Sequence, residues 1–570
     1  SSTTSTTLVS VETIKAGKST ATTFTVDMAD LLSGGSVVGS SASDTLLVMD
    51  SAIDLRSTSL SSVEIIKAGT TDATTFTVNQ ADLGAGGTNS AVISTTTQTT
   101  DTILAADTVL DRSSTALTGI EVLQANSAAG TTFKVNQADL GAGGTDSAVT
   151  GHTSGSDVLM AMDTALNLTS TVLTSVEKLA AGKSTATTFT VDVADLVASG
   201  SVVGSTGVDT LVVADSTIDL SSITLSSVEI IKAGTASATT FTLGSNLATL
   251  GTSGQIVGSS GNDTLTTTGT SLDLSSAAVS SVEILSGSTN GTTFKLNQAD
   301  LVSGGSLVGD ATATTDIVIA MDTQLNLSST SASEIDKLQA GKSTATTFTI
   351  DVADLTTSGA TIAGSSGNDT LVVNDTVIDL SSMTLTSVET VSAGKSGGTT
   401  FTLSAAELAS VATILGVSGT GSVDTLVANT STIDLTSTTL SSIEVLKANT
   451  TDDTTFTLDQ SDLTALTSIT GNSGNDELKA NTTSVDLRST SLSSVEKLTA
   501  GKSTATTFTI DLADLSSTTA GTVTGSSGSD TLVVMDTAID LSSTTSTTLV
   551  SVETIKAGKS TATTFTVDMA

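Results

Sequence analysis

An all-β parallel solenoid is the fold this sequence predicts, and three observations carry the prediction. A piece of about 54 residues is copied down the chain about ten times. In every copy, short runs of β-branched and aliphatic residues alternate with Ser, Thr, Gly, Asn and Asp. The 570 residues contain no proline, where average usage of roughly 5% would place about 28. Proline removes a ladder donor and is kept out of central strands, so its absence fits a backbone paired almost everywhere.

The copies are read most easily from phenylalanine. All 11 Phe follow a Thr-Thr pair: Phe24, Phe76, Phe133, Phe189, Phe241, Phe294, Phe348, Phe401, Phe456, Phe508 and Phe565. Their spacing runs from 52 to 57 residues. In the copy from Asp44 to Thr100, the strand candidates are TLLVM, AIDL, VEIIKA, TFTVN, ADL and AVIS. Leu46 to Phe76 is 30 residues and Val63 to Val92 is 29, which suggests two coils of about 27 residues with three strands each. Three coils of about 18 is the competing division. Right-handed coiling is the expectation for parallel crossovers.

Alternation supplies the inside of the coil. Successive strand residues face opposite ways, so Phe76 and Val78 point inward with Thr75 and Thr77 outward, and Ile53 and Leu55 flank an outward Asp54. The Phe residues are thus structural, one aromatic ring per repeat in a dry column. Rings piled turn upon turn are the simplest arrangement of such a column.

No shift of composition divides the chain, so residues 1–570 read as one continuous array. Residues 1–29 recur unchanged as 542–570, an offset of 541. The expectation is a fragment of a longer protein that repeats a block of 541 residues in tandem.

The formal charge is −38, from 58 acidic and 20 basic residues spread over all repeats. A nucleic-acid partner is not expected, because a phosphate binder needs a basic stripe. There is no run of about 18 or more apolar residues to span a bilayer as a helix. With no Cys, there are no disulfides, thiolate metal sites or cysteine nucleophiles. A large Cys-free chain rich in Thr, Ser and Gly suits an exported, extracellular or cell-surface protein. Catalysis is not expected either: the carboxylates recur with the repeat instead of forming a singular cluster, and the one histidine, His152, sits in a turn of a single copy. The GAGG runs at 84–87 and 141–144 lack the Lys-Ser/Thr of a phosphate loop and read as turns.

Each repeat opens on Asp, in most copies after a glycine-rich turn: GSSGNDTL at 258–265 and 364–371, GNSGNDEL at 471–478, and GSSGSDTL at 525–532, with looser versions before Asp44, Asp157 and Asp209. Here the chain resembles the repeat regions of large secreted bacterial surface proteins of the RTX type, adhesins and S-layer-like proteins among them. Gly261, Asp263 and Leu265 match three positions of that family's nonapeptide, G-G-x-G-x-D-x-hydrophobic-x. The match covers about nine residues of each 54 and occurs once per repeat, not back to back. The resemblance implies Ca2+ as the one cofactor, with Asp263, Asp369, Asp476 and Asp530 as metal ligands. A plain Gly/Asx turn is the alternative.

Two further acids recur. The polar residue of the IDL segment is Asp54, Asp111, Asp219, Asp273, Asp379, Asp434, Asp486 and Asp540, but Asn167 and Asn326 in two copies. Charge is dispensable there, so a side-chain bond to backbone is expected. The acid of the SVE segment is Glu12, Glu64, Glu121, Glu177, Glu229, Glu283, Asp336, Glu389, Glu444, Glu496 and Glu553, never an amide. Lysines such as Lys67, Lys178 and Lys232 follow closely, so a surface ion pair is expected.

These features point to a structural fibre, filament or surface stalk giving cell-surface, biofilm-matrix or adhesive scaffolding. Its expected partners are further copies of itself, end to end or side by side, a cell surface or surface polysaccharide, and divalent cations screening the acid rows. A calcium-binding RTX-type adhesin or S-layer component is the alternative. An ice- or surface-binding array of outward Thr-x-Thr pairs is a third reading.

Overall fold

The computed structural model describes residues 8–31, 33–84, 90–95, 100–141, 147–244, 247, 250, 254–312, 315–354, 359–419, 421–515, 521–541 and 547–567. Most of the two GAGG runs therefore lies outside the described residues. The chain divides into two compact units, Ser1–Gly269 with Ser276–Leu285, and Thr270–Ser275 with Ser286–Ala570. Each is all-β and built as a parallel solenoid, and the turns of both come to about 22. No helix among the described residues is long and apolar enough to cross a membrane.

The copy from Asp44 contains the strands Thr45–Val48, Ala52–Asp54, Ser59–Ser61, Ile65–Ala68, Thr75–Val78 and Ser90–Ile93. Two assignments differ from the sequence reading. SLS is a strand, and ADL is not: Gln80–Gly84 forms one helical turn. A reciprocal cap decides it, since the Asp82 N–H donates to Asn79 Oδ1 at 3.1 Å and the Asn79 N–H to Asp82 Oδ2 at 2.9 Å.

The stacking order is the larger correction. In the first compact unit, one sheet runs through Ile53, Phe76, Ile103, Leu123, Val149 and Leu173 in register. In the second, Leu325, Phe348, Leu371, Val391, Ile414 and Leu440 form the same row. The strand types therefore follow one another as IDL, TTF, DTL, the strand after SVE, the strand after the capping turn, and SLS. Phe76 lies between Ile53 and Ile103, and Phe348 between Leu325 and Leu371. Rings do not lie on rings. The cause is coil length: ladder partners are 27 residues apart at Phe76–Ile103 but 20 at Ile103–Leu123, so a repeat holds more than two coils and each strand meets a different type above it.

Inside, Phe76, Phe133, Phe189, Phe241, Phe294, Phe348, Phe401, Phe456 and Phe508 are fully buried, Phe24 is 8% exposed and Phe565 is half-exposed. Burying a side chain of this size contributes roughly 1.5–3 kcal/mol. Outside, Thr188 and Thr190 are covered by Thr210 and Val212, and these by Ile230 and Lys232. The same offset that separates the rings leaves no Thr-x-Thr pair stacked on another in this sheet.

Candidate functional site

The most repeated side-chain arrangement is built on the aspartate of the glycine-rich turn. Asp263 is fully buried. Its Oδ1 accepts from the Thr239 backbone N–H at 2.6 Å in the coil beneath, and its Oδ2 from the Ser259 N–H at 2.6 Å and hydroxyl at 2.9 Å in its own turn. The Asp263 N–H donates to Glu283 Oε2 at 2.8 Å in the coil above, while its carbonyl accepts from the Glu283 and Ile284 N–H groups at 3.0 Å. One residue ties three coils together.

Asp369, Asp476 and Asp530 are equally buried and similarly bonded. Their Oδ1 atoms accept from Thr346 at 2.6 Å, Thr454 at 2.7 Å and Thr506 at 2.5 Å. Their Oδ2 atoms accept from Ser365 at 2.6 Å, Asn472 at 2.7 Å and Ser526 at 2.6 Å. The Oδ1 bond recurs at Asp44, Asp101, Asp157, Asp209, Asp316 and Asp424. At Asp157 the Oδ2 donor is the backbone of the half-buried His152, at 2.8 Å. Hydrogen bonds to a charged group are worth about 1.5–3 kcal/mol each. Both carboxylate oxygens of Asp263 are thus engaged as acceptors, one toward the coil beneath and one within the turn. Among the described residues, no group of three or more His, Asp or Glu is placed to hold a metal ion.

The glycines of the motif follow from the same packing. A Cβ on Gly258 would lie 1.6 Å from the carbonyl oxygen of Ser281, which has a left-handed φ of 52° and leans into the turn. One on Gly261 would lie 2.3 Å from the backbone nitrogen of Ala238 in the coil beneath.

The SVE acid is the second half of the junction. In ten copies one of its oxygens accepts from the N–H of the buried Asp. That bond corrects the expected Glu–Lys surface pair: the acid reaches the backbone of the neighbouring coil, where a charged acceptor is strongest. Among the described residues, ion pairs form at the IDL aspartates, Arg56–Asp54 at 2.6 Å, Lys134–Asp111 at 3.2 Å, Lys295–Asp273 at 2.8 Å and Arg488–Asp486 at 2.5 Å. The IDL residue itself caps a turn: Asp379 Oδ1 accepts from the Ser381 N–H at 2.9 Å, and Asn326 Oδ1 from the Ser328 N–H at 2.9 Å. Asp and Asn serve equally because only an acceptor is needed.

No protein-family model, curated protein or solved structure matches the chain.

Two features escaped the sequence reading. The first is a second set of buried acids at the capping turns, among them Asp82, Asp195, Asp354, Asp462 and Asp514. Burial pushes all five up to about 7, against the pull of the cap N–H. Their signal was the spacing Asn79-x-x-Asp82 or Asp192-x-x-Asp195, a capping box hidden inside an apparent strand. The second is Arg112, fully buried where the equivalent residue in other copies is Leu55 or Leu168. Its Nη2 donates to the Thr115 carbonyl at 3.4 Å, while Nε and Nη1 have no partner. Burial pushes its pKa down to about 10, opposed by Asp139 and Asp111 nearby.

Proposed function

We propose that this chain is a structural repeat protein of the extracellular space, a filament or surface-stalk element whose work is mechanical. The observation that carries the reading is the junction: in ten copies the same Asp and SVE acid are engaged in holding one coil to the next. Residues that in an enzyme or a binding module would face a ligand here face neighbouring backbone. Parallel ladders with a charge-assisted bond at each junction resist pulling along the stack. Further copies of the chain, surface polysaccharide and divalent cations are the partners this role calls for.

Single-molecule pulling tests the reading. Stretching from the two termini should give a train of force peaks with coil-sized length increments, and extension with no resolvable peak would end the mechanical account. The same trace recorded in calcium and in chelator separates the RTX-like alternative, which requires the peaks to vanish without calcium. Antibody labelling of intact producing cells tests the extracellular placement.

A further inference from the structure

The buried acids of the capping turns take no part in the junction, and the mechanical reading does not need them. Asp195, Asp354 and Asp514 are 2%, 1% and 6% exposed. Each accepts the backbone N–H of an acidic N-cap residue, Asp192 at 2.9 Å, Asp351 at 2.8 Å and Asp511 at 2.9 Å. A third acid comes from the following coil: Asp215 and Asp375 each accept the first N–H of the same turn at 2.7 Å, and Asp536 stands at the third station. Asp219, on the strand Thr217–Asp219 packed against the first of these turns, is also acidic. From the preceding coil, the backbone N–H groups of Ala332 and Leu492 lie close enough to Asp354 and Asp514 to pull their pKa values down, against the larger effect of burial. The charged groups acting on these three carboxyls are all acids.

We propose that these acids make the capping turns a proton-operated clasp: on acidification each takes up a proton, its carboxylate cluster loses a charge, and the coils on either side are held more firmly. Burial is the main reason all three carboxyls rise from the ordinary 3.8 to about 7, and the neighbouring acids add to it. The folded chain therefore keeps protons that the unfolded chain has released. The resulting stabilisation is full below pH about 3.8 and is lost as pH rises through about 7.

The test is thermal unfolding of the full chain at pH 5 and pH 8, in about 0.5 M salt so that surface repulsion is screened and buried clusters are not. The chain should melt several degrees higher at pH 5, and D195N/D354N/D514N should lose much of that difference, since Asn does not titrate. Equal or lower melting at pH 5, or a triple variant with the full difference, overturns the clasp. If the triple variant does not fold, hydrogen exchange across residues 188–203 in D195N replaces it. Protection there, after correction for intrinsic rates, should exceed that at pH 8 in the parent and be level in the variant; an unchanged pH response in D195N overturns the proposal.

Discussion

Asp44 and Asp82 both expose almost no surface, 0% and 3%, yet they lie at different depths and their carboxyls behave in opposite ways. Burial pushes Asp44 up, but the Ser40 N–H at 2.5 Å, the Ser40 hydroxyl at 2.8 Å and the Thr22 N–H at 2.6 Å outweigh it and hold the group below its ordinary range. Asp82 lies deeper, among more protein, so a larger desolvation opposes the Asn79 N–H at 2.9 Å; with Asp107 and Asp54 adding negative charge, the group rises to about 7. Ionisation follows the balance of depth and donors: Asp316 accepts N–H groups from Thr292 and Asp310, yet burial and the neighbouring Asp336 and Asp310 still hold it above its ordinary range. Arg112 is the mirror case, a buried cation with two nitrogens unpartnered.

That contrast breaks most visibly at the junction. Asp369→Ala leaves the buried Thr346 N–H and the half-buried Ser365 N–H without their acceptor. Local opening around residues 344–372, measured by native-state hydrogen exchange, should become easier by about 4 kcal/mol. Asp369→Asn, which keeps one acceptor oxygen, should cost about half of that. Next in size is a gain. Arg112→Leu restores the residue type of the other copies and removes an unsatisfied buried charge, so opening across 109–125 should become harder by about 2 kcal/mol. The smallest effect is expected from Glu389→Gln. Its amide oxygen still accepts from the Asp369 N–H, now 2.7 Å from Glu389 Oε2, but without charge assistance, and the same exchange measurement should show a loss of about 1 kcal/mol. Equal costs for Asp369→Ala and Glu389→Gln would mean that the aspartate is not the hub.

Local chemistry is what the sequence exposes. The alternation Thr75-Phe76-Thr77 shows which side faces in, because strand geometry is set within a few residues. The Asp/Asn exchange at the IDL position shows that an acceptor is enough. Stacking order was not legible, because whether Phe76 meets Phe133 or Ile103 depends on the summed length of every turn in a coil. The capping turns were misread for a related reason: ADL carries a strand-like apolar pattern, and only the Asn79–Asp82 reciprocal bonds reverse it. The role of the GxxGxD turn was hidden too, since Asp263 reaches Thr239 and Glu283, which lie 24 and 20 residues away.

The coil-to-coil junction is tested most directly by hydrogen exchange at the backbone N–H groups of Thr346, Ser365 and Asp369 in the full chain, followed residue by residue in calcium and in excess chelator. If buried aspartates join the coils as acceptors of N–H groups, all three amides exchange slowly and at the same rate in both conditions. Fast exchange at these amides, or protection that disappears when the cation is removed, would contradict it.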